Sequence, residues 1–258
     1  MPLVLLLAGA AVPGRAAAQV IPSAARTDSL FRAGLADQSY QAALAHVARQ
    51  PDDYGALWRA SRAETFLGII TDKHAPEKSE MFRRAEEFAQ RAIAHAPRRP
   101  EGHFWLAAAY GRHARVVGML AAARFARDAH QETLRLLVID SLYAGAHGLL
   151  GKMNSDASDL PRLTRFFVGR IIGMSIVRDA SWEMAERELR RAIQLDPESM
   201  IFRFDLIQMY LRTQREAEAD RTVRTLVALP IRSPADTFWQ RDAANQLEAY
   251  RRARVTRP

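Results

Sequence analysis

From about residue 25 onward, apolar positions recur at intervals of three and four, and no alternating strand-type run interrupts them. The period predicts helices over 28–35, 40–49, 54–67, 81–95, 101–117, 121–138, 182–195, 201–212, 216–229 and 237–254. Proline punctuates the pattern at Pro51, Pro97, Pro100 and Pro197, because it cannot continue a helix. The segment 71–78, with Pro76 and two of the three lysines, reads as a loop, and 156–181 departs most from regular repetition. The last helix is expected to turn Trp239, Ala244, Leu247 and Tyr250 inward and to cover the apolar face before it.

One spacing occurs twice, a hundred residues apart. Ala85-x6-Ala92-x4-Pro97 returns as Ala185-x6-Ala192-x4-Pro197, and Leu106 and Tyr110 follow the first as Leu206 and Tyr210 follow the second. Weaker copies keep Ala129 in register before Ser141, with Leu150-Gly151 after it, and Ala219 in the last unit. An alanine at a helix crossing admits close approach, and a neighbouring large side chain such as Trp58 fills the space beside it. Pro97 to Ser141 spans 44 positions, about ten more than the usual repeat of roughly 34. The pattern is that of tetratricopeptide repeats. It predicts an all-α, tetratricopeptide-like α-α superhelix, a solenoid of about four helix pairs with a C-terminal capping helix. A single domain is expected over 28–254, with a flexible stretch at 19–27 and a tail at 255–258.

Residues 1–18 differ in kind. The apolar run from Leu3 to Val12 is too short to span a bilayer, and Ala16-Ala17-Ala18 offers small residues for a signal peptidase. The expected reading is a signal peptide with Gln19 as the mature start and a periplasmic or secreted destination, although no cation precedes Leu3. The net charge of +8 rests on 34 arginines and three lysines, and removing Arg15 with the leader lowers it to +7. That skew reads as genomic base composition; the cations form no stripe or tail, and no nucleic-acid module is present. With no cysteine there is no disulfide, thiolate metal site or thiol nucleophile. No apolar run of membrane-spanning length follows the leader.

Several segments together resemble the regulator of microtubule dynamics family and its bacterial relatives. They are Leu57-Trp58-Arg59-Ala60 with Arg62-Ala63, Ala85-x3-Ala89-x2-Ala92, Pro100-x4-Trp105 and Gly118. Leu149-Leu150-Gly151, Arg170-Ile171, Ala192-Ile193-x3-Pro197, Pro230 and Ala243-Ala244-x2-Leu247 continue it, so that it spans 28–250 in order. Eukaryotic members are helical-repeat proteins associated with microtubules and organelle membranes. Here a leader stands where those proteins carry an anchor and a coiled coil, and 177–181 replaces a proline-bearing turn. A periplasmic chain meets no tubulin, so the resemblance implies the fold and a binding role, not the partner. Periplasmic repeat proteins that accompany tripartite transporters offer an analogy in architecture and location.

The chemistry that can be assembled from the sequence is sparse. None of the seven histidines falls in a metal-ligand spacing, and no Walker loop, dinucleotide fingerprint or G-x-S-x-G is present. The expectation is no enzyme, no cofactor and no metal, because no convergent nucleophile, acid and base can be named. His103 and His147 occupy the same place in successive repeats and read either as a groove-lining pair or as packing. Two acid-free stretches are candidate binding surfaces: Arg112, Arg115, Arg124 and Arg127 in the first, and Arg162, Arg165 and Arg170 around Phe166 and Phe167 in the second. If both line a concave face, they suit an acidic peptide or another anionic ligand. The resulting expectation is a scaffold that binds a protein or peptide. The alternative is a small-ligand carrier or transporter accessory with an enclosed pocket near 160–177.

Overall fold

The computed structural model describes residues 24–171 and 175–255. Helices α1 (Ala24–Arg32) and α2 (Ala36–Arg49) form a short leading pair. Four longer pairs follow. Helix α3 (Tyr54–Ile70) packs on α4 (Ala75–His95), and α5 (Pro100–His113) on α6 (Met119–Ile139). In the third unit α7 (Ala144–Ser158) is separated in sequence from its partner by α8 (Arg162–Ile171) and α9 (Ser175–Asp179), and packs on α10 (Trp182–Leu195). Then α11 (Met200–Arg212) packs on α12 (Glu216–Val227), and α13 (Asp236–Val255) lies against both. Among the described residues there is no strand, and the chain is an all-α solenoid.

Local chemistry sets the helix ends. Asp53 accepts the Ala56 N–H at 2.6 Å and starts α3, and Ser181 accepts the Met184 N–H at 3.1 Å and starts α10. Helix α4 begins at Ala75, six residues before the sequence-based boundary. Glu77 reaches back to accept the His74 N–H at 3.0 Å, and Pro76 sits in the first turn, where a missing N–H costs nothing. A proline read as a loop signal is here a start signal. In α13 the buried alanine is Ala243, not Ala244, which is exposed; Trp239 and Leu247 are buried as expected.

The small residues do what their spacing requires. Ala85, Ala92, Ala129, Ala185, Ala192 and Ala219 are all fully buried. Leu106, Leu206 and Tyr210 are buried beside them, while Trp58, Tyr110 and Leu150 are half-buried at the edges of the core. Gly151 lets α7 approach α10 so closely that a Cβ would lie 2.6 Å from Leu189 Cγ and 2.9 Å from its backbone nitrogen. The hundred-residue repeat extends to hydrogen bonds: Gln90 Nε2 donates to Tyr110 at 3.0 Å, and Arg190 donates to Tyr210 at 2.8 Å. Both pairs join the second helix of one unit to the first of the next, after the turns that hold Pro97 and Pro197.

His103 and His147 supply a second shared device. His103 Nδ1 lies 2.8 Å from Glu132 on the partner helix and Nε2 lies 2.9 Å from the Pro97 carbonyl. His147 repeats this with Glu188 at 2.7 Å and the Ser141 carbonyl at 3.0 Å. Each imidazole therefore clasps the first helix of its unit to the second and to the preceding turn. At the far end, Phe66 and Ile69 of α3 pack against the core cluster containing Phe204 and Trp239. The superhelix thus curls until the first full helix meets the C-terminal cap.

Two outcomes follow from this packing. Gly151→Ala gains up to about 1 kcal/mol of helix propensity but must push α10 away, at a cost of about 1–3 kcal/mol. A net loss of stability is expected, seen as a lower urea midpoint at unchanged slope. The hydrogen bond to Glu132 holds His103 above the usual imidazole range. Its stabilisation is fully present below about pH 6.5 and is lost as pH rises through the higher folded value. His103→Gln should flatten that part of the stability–pH curve, measured by urea titration from pH 5 to 9.

A cation-lined cavity inside the superhelix

The curl leaves a cavity of about 270 Å³ between the inner helices and α13. Helices α3 and α4 contribute Ile69 and Phe82, α11 contributes Phe204, and α13 contributes Phe238 and Trp239. These give it an aromatic wall. The rest of the lining is largely charged: Arg112 from the last turn of α5, Arg115 just beyond it, Lys152 from α7 and Asp205 from α11, with Lys78 of α4 and Asp242 of α13.

Burial sets the electrostatics of that charged lining. It lowers the pKa of Arg112 and of Lys152, with the Asp205 carboxyl opposing the shift in both. It raises Asp205 above the usual carboxylate range, against the pull of Lys152 and Arg112. Burial also pushes Asp156 up, but Lys152, Arg212 and Arg115 together outweigh it and hold that carboxyl low. Asp156 is well partnered, with Arg212 at 2.9 Å, Arg115 at 3.3 Å and Lys152 one turn away. Arg112 and Asp205 are different. Among the described residues neither side chain makes a hydrogen bond or ion pair, and the half-buried Arg112 guanidinium lies 5.6 Å from the centre of the Trp239 ring. A buried carboxyl without a close partner, beside such a guanidinium in a cavity, makes this a candidate site.

The two arginine stretches separate in space. Arg112 and Arg115 reach the cavity. Arg124 stands exposed on α6, and Arg127 pairs with its neighbour Asp128 at 3.1 Å. Arg165 is committed to backbone, donating to the Ala180 carbonyl at 2.6 Å and the Val177 carbonyl at 3.3 Å, so it ties α8 to α9. Arg170 and Phe166 are exposed, and the side chains of Arg162 and Phe167 lie outside the described residues. His103 and His147 sit in the helix clasps and not on the cavity wall. Among the described residues the cavity lining includes none from 160–177, where the alternative small-ligand reading places an enclosed pocket. Residues 1–18 and the tail at 256–258 also lie outside what is described.

Sequence reasoning missed Lys152, Asp156 and Asp205. The available signal was Asp205 itself, an acid that with Arg203 interrupts the otherwise apolar stretch from Ile201 to Ile207. It also missed a convergent set. Ser79 Oγ lies 2.6 Å from His113 Nε2, and His113 Nδ1 lies 2.6 Å from Glu86 Oε1. Ser79 and Glu86 are two turns apart on α4, and His113 ends α5, so no local spacing links the three.

Similarity to known proteins agrees with the geometry. No curated protein matches the chain. A thermophilic tetratricopeptide-repeat protein of Thermus thermophilus superposes with a TM-score of 0.60 at 18% identity, covering 88% of this chain and 100% of the other. At that identity the likeness shows the fold. The family model described as Regulator of microtubule dynamics protein 1-3 matches residues 24–251. The chain belongs to the regulator of microtubule dynamics protein 1-3 family.

Proposed function

We propose that this protein is a helical-repeat scaffold that acts in the periplasm, where it takes an acidic segment of a protein partner into its concave cavity. The observation that carries this reading is the charged lining, where half-buried Arg112 and buried Asp205 make no side-chain hydrogen bond among the described residues. Burial raises Asp205 above the usual carboxylate range and so weakens its opposition to an incoming carboxylate beside Arg112, Arg115 and Lys152. A carboxylate entering there meets Arg112, Arg115, Lys152 and Lys78, which outnumber the lining acids Asp205 and Asp242. The aromatic wall of Phe82, Phe204 and Trp239 accepts an adjoining apolar side chain. The periplasmic location rests on the Leu3–Val12 run and the Ala16–Ala18 cleavage site.

A second reading is favoured by size alone. About 270 Å³ is near the lower end of small-molecule pockets, so a small organic carboxylate could fill the site unaided. Calorimetric titration with short peptides ending in Asp or Glu separates the two readings from simple dicarboxylates. The scaffold predicts tighter binding by the peptides, loss of at least tenfold, or about 1.4 kcal/mol, in the Arg112→Glu/Arg115→Glu variant, and weakening with salt. Equal binding of neutral peptides would contradict it. Tighter binding of the free dicarboxylate would favour the carrier.

A further inference from the structure

We propose that Ser79 is a nucleophilic serine, activated by His113 and positioned by Glu86, which accepts the acyl group of small carboxylic esters. This goes beyond scaffold binding and uses none of the charged residues assigned to it. The connectivity is that of a nucleophile, a base and an orienting carboxylate: Ser79 Oγ to Nε2 at 2.6 Å, and Nδ1 to Glu86 Oε1 at 2.6 Å.

Comparison within the molecule shows what is particular about His113. Three imidazoles contact a glutamate through Nδ1: His103, His147 and His113. In the first two, Nε2 faces a backbone carbonyl, which accepts a hydrogen bond and has no proton to give. In His113 it faces a hydroxyl, which can donate. The Phe125 ring stacks on the imidazole at 4.1 Å and 27°, which fixes its plane, and Phe82 lies 6.3 Å away. His113 and Glu86 are buried, whereas Ser79 is partly exposed. Phe82 and Val116, one turn beyond Ser79 and His113, both line the cavity and offer the nearest apolar surface to an acyl or alkoxy group.

Burial keeps His113 below its ordinary value, which leaves it a neutral base. Attack forms the bond from Ser79 Oγ to the acyl carbon as the hydroxyl proton passes to Nε2, and Glu86 accepts from Nδ1–H. The imidazolium returns that proton to the departing alkoxide oxygen as the ester C–O bond breaks. Water then attacks the acyl-serine, gives its proton to Nε2, and the hydroxyl is restored as the carboxylic acid leaves. Glu86 serves this only when ionised. Burial, with Glu87 on its own helix and Asp128 on α6, pushes it up to about 8 against the pull of Arg83, and His113 on α5 is its hydrogen-bond partner. Reactivity should therefore climb as pH rises through that value.

The test is labelling of the full chain with a fluorophosphonate, in which Ser79 Oγ displaces fluoride from phosphorus, followed by peptide mapping and a p-nitrophenyl acetate assay. Expected are a single adduct on Ser79, at least a hundredfold faster than on heat-unfolded protein, and its loss in Ser79→Ala with the melting temperature unchanged. His113→Gln should slow labelling at least tenfold. Glu86→Gln should slow it and abolish the rise with pH, and Glu86→Asp should restore part of both. If His113→Gln unfolds, the wild-type pH profile and the Ser79→Ala control still decide. Adducts spread over several serines, no adduct, or a rate independent of both pH and His113 would overturn the proposal.

Discussion

Helices that cross on alanine and glycine come close enough for their backbones to shape the interface, and the rest of this molecule depends on that approach. Ala85, Ala92, Ala129, Ala185, Ala192 and Ala219 are fully buried, and Gly151 holds α7 against the backbone of Leu189. Close pairing leaves little freedom in the angle between successive units. The units then accumulate rotation in one direction until α3 shares a core cluster with α11 and α13. An inner cavity with an aromatic wall and a charged lining is the consequence of that closure.

Polar groups in the interior fall into two classes. In the first, each partner is provided: His103 with Glu132 and Pro97, His147 with Glu188 and Ser141, Tyr210 with Glu186 and Arg190. Such groups fix register, because removing one partner strands the other away from water. In the second, partners are incomplete or unusually matched. Arg112 and Asp205 face a cavity without hydrogen bonds, and Ser79, His113 and Glu86 line up in a relay. The first class explains the fold, while the second is where binding and chemistry are assigned.

The fold was legible in the sequence because close packing imposes spacing, and spacing is a one-dimensional signal. The alanine–proline interval located the units a hundred residues apart, and the match reached even the hydrogen bonds at Tyr110 and Tyr210. Pro76 misleads because proline marks a helix start as well as a stop. The sites were mostly hidden. Arg112 and Arg115 emerged from an acid-free stretch, but Lys152 and Asp205 come from other units and join them only through the curl. Arg165 carried the same signal as Arg112 and is bound to backbone. A charge run records what is present in a helix, not which face turns inward.

Closure of the superhelix is the claim on which the cavity rests. The chain has no cysteine, so Lys78→Cys with Asp242→Cys places two unique thiols on α4 and α13, both at the cavity wall. Treatment with a short bifunctional maleimide, followed by peptide mapping, reads their proximity directly. A high yield of one intramolecular cross-link between the α4 and α13 peptides is the predicted result. Two singly modified thiols with no bridge between them would mean an open superhelix, and the cavity would be lost with it.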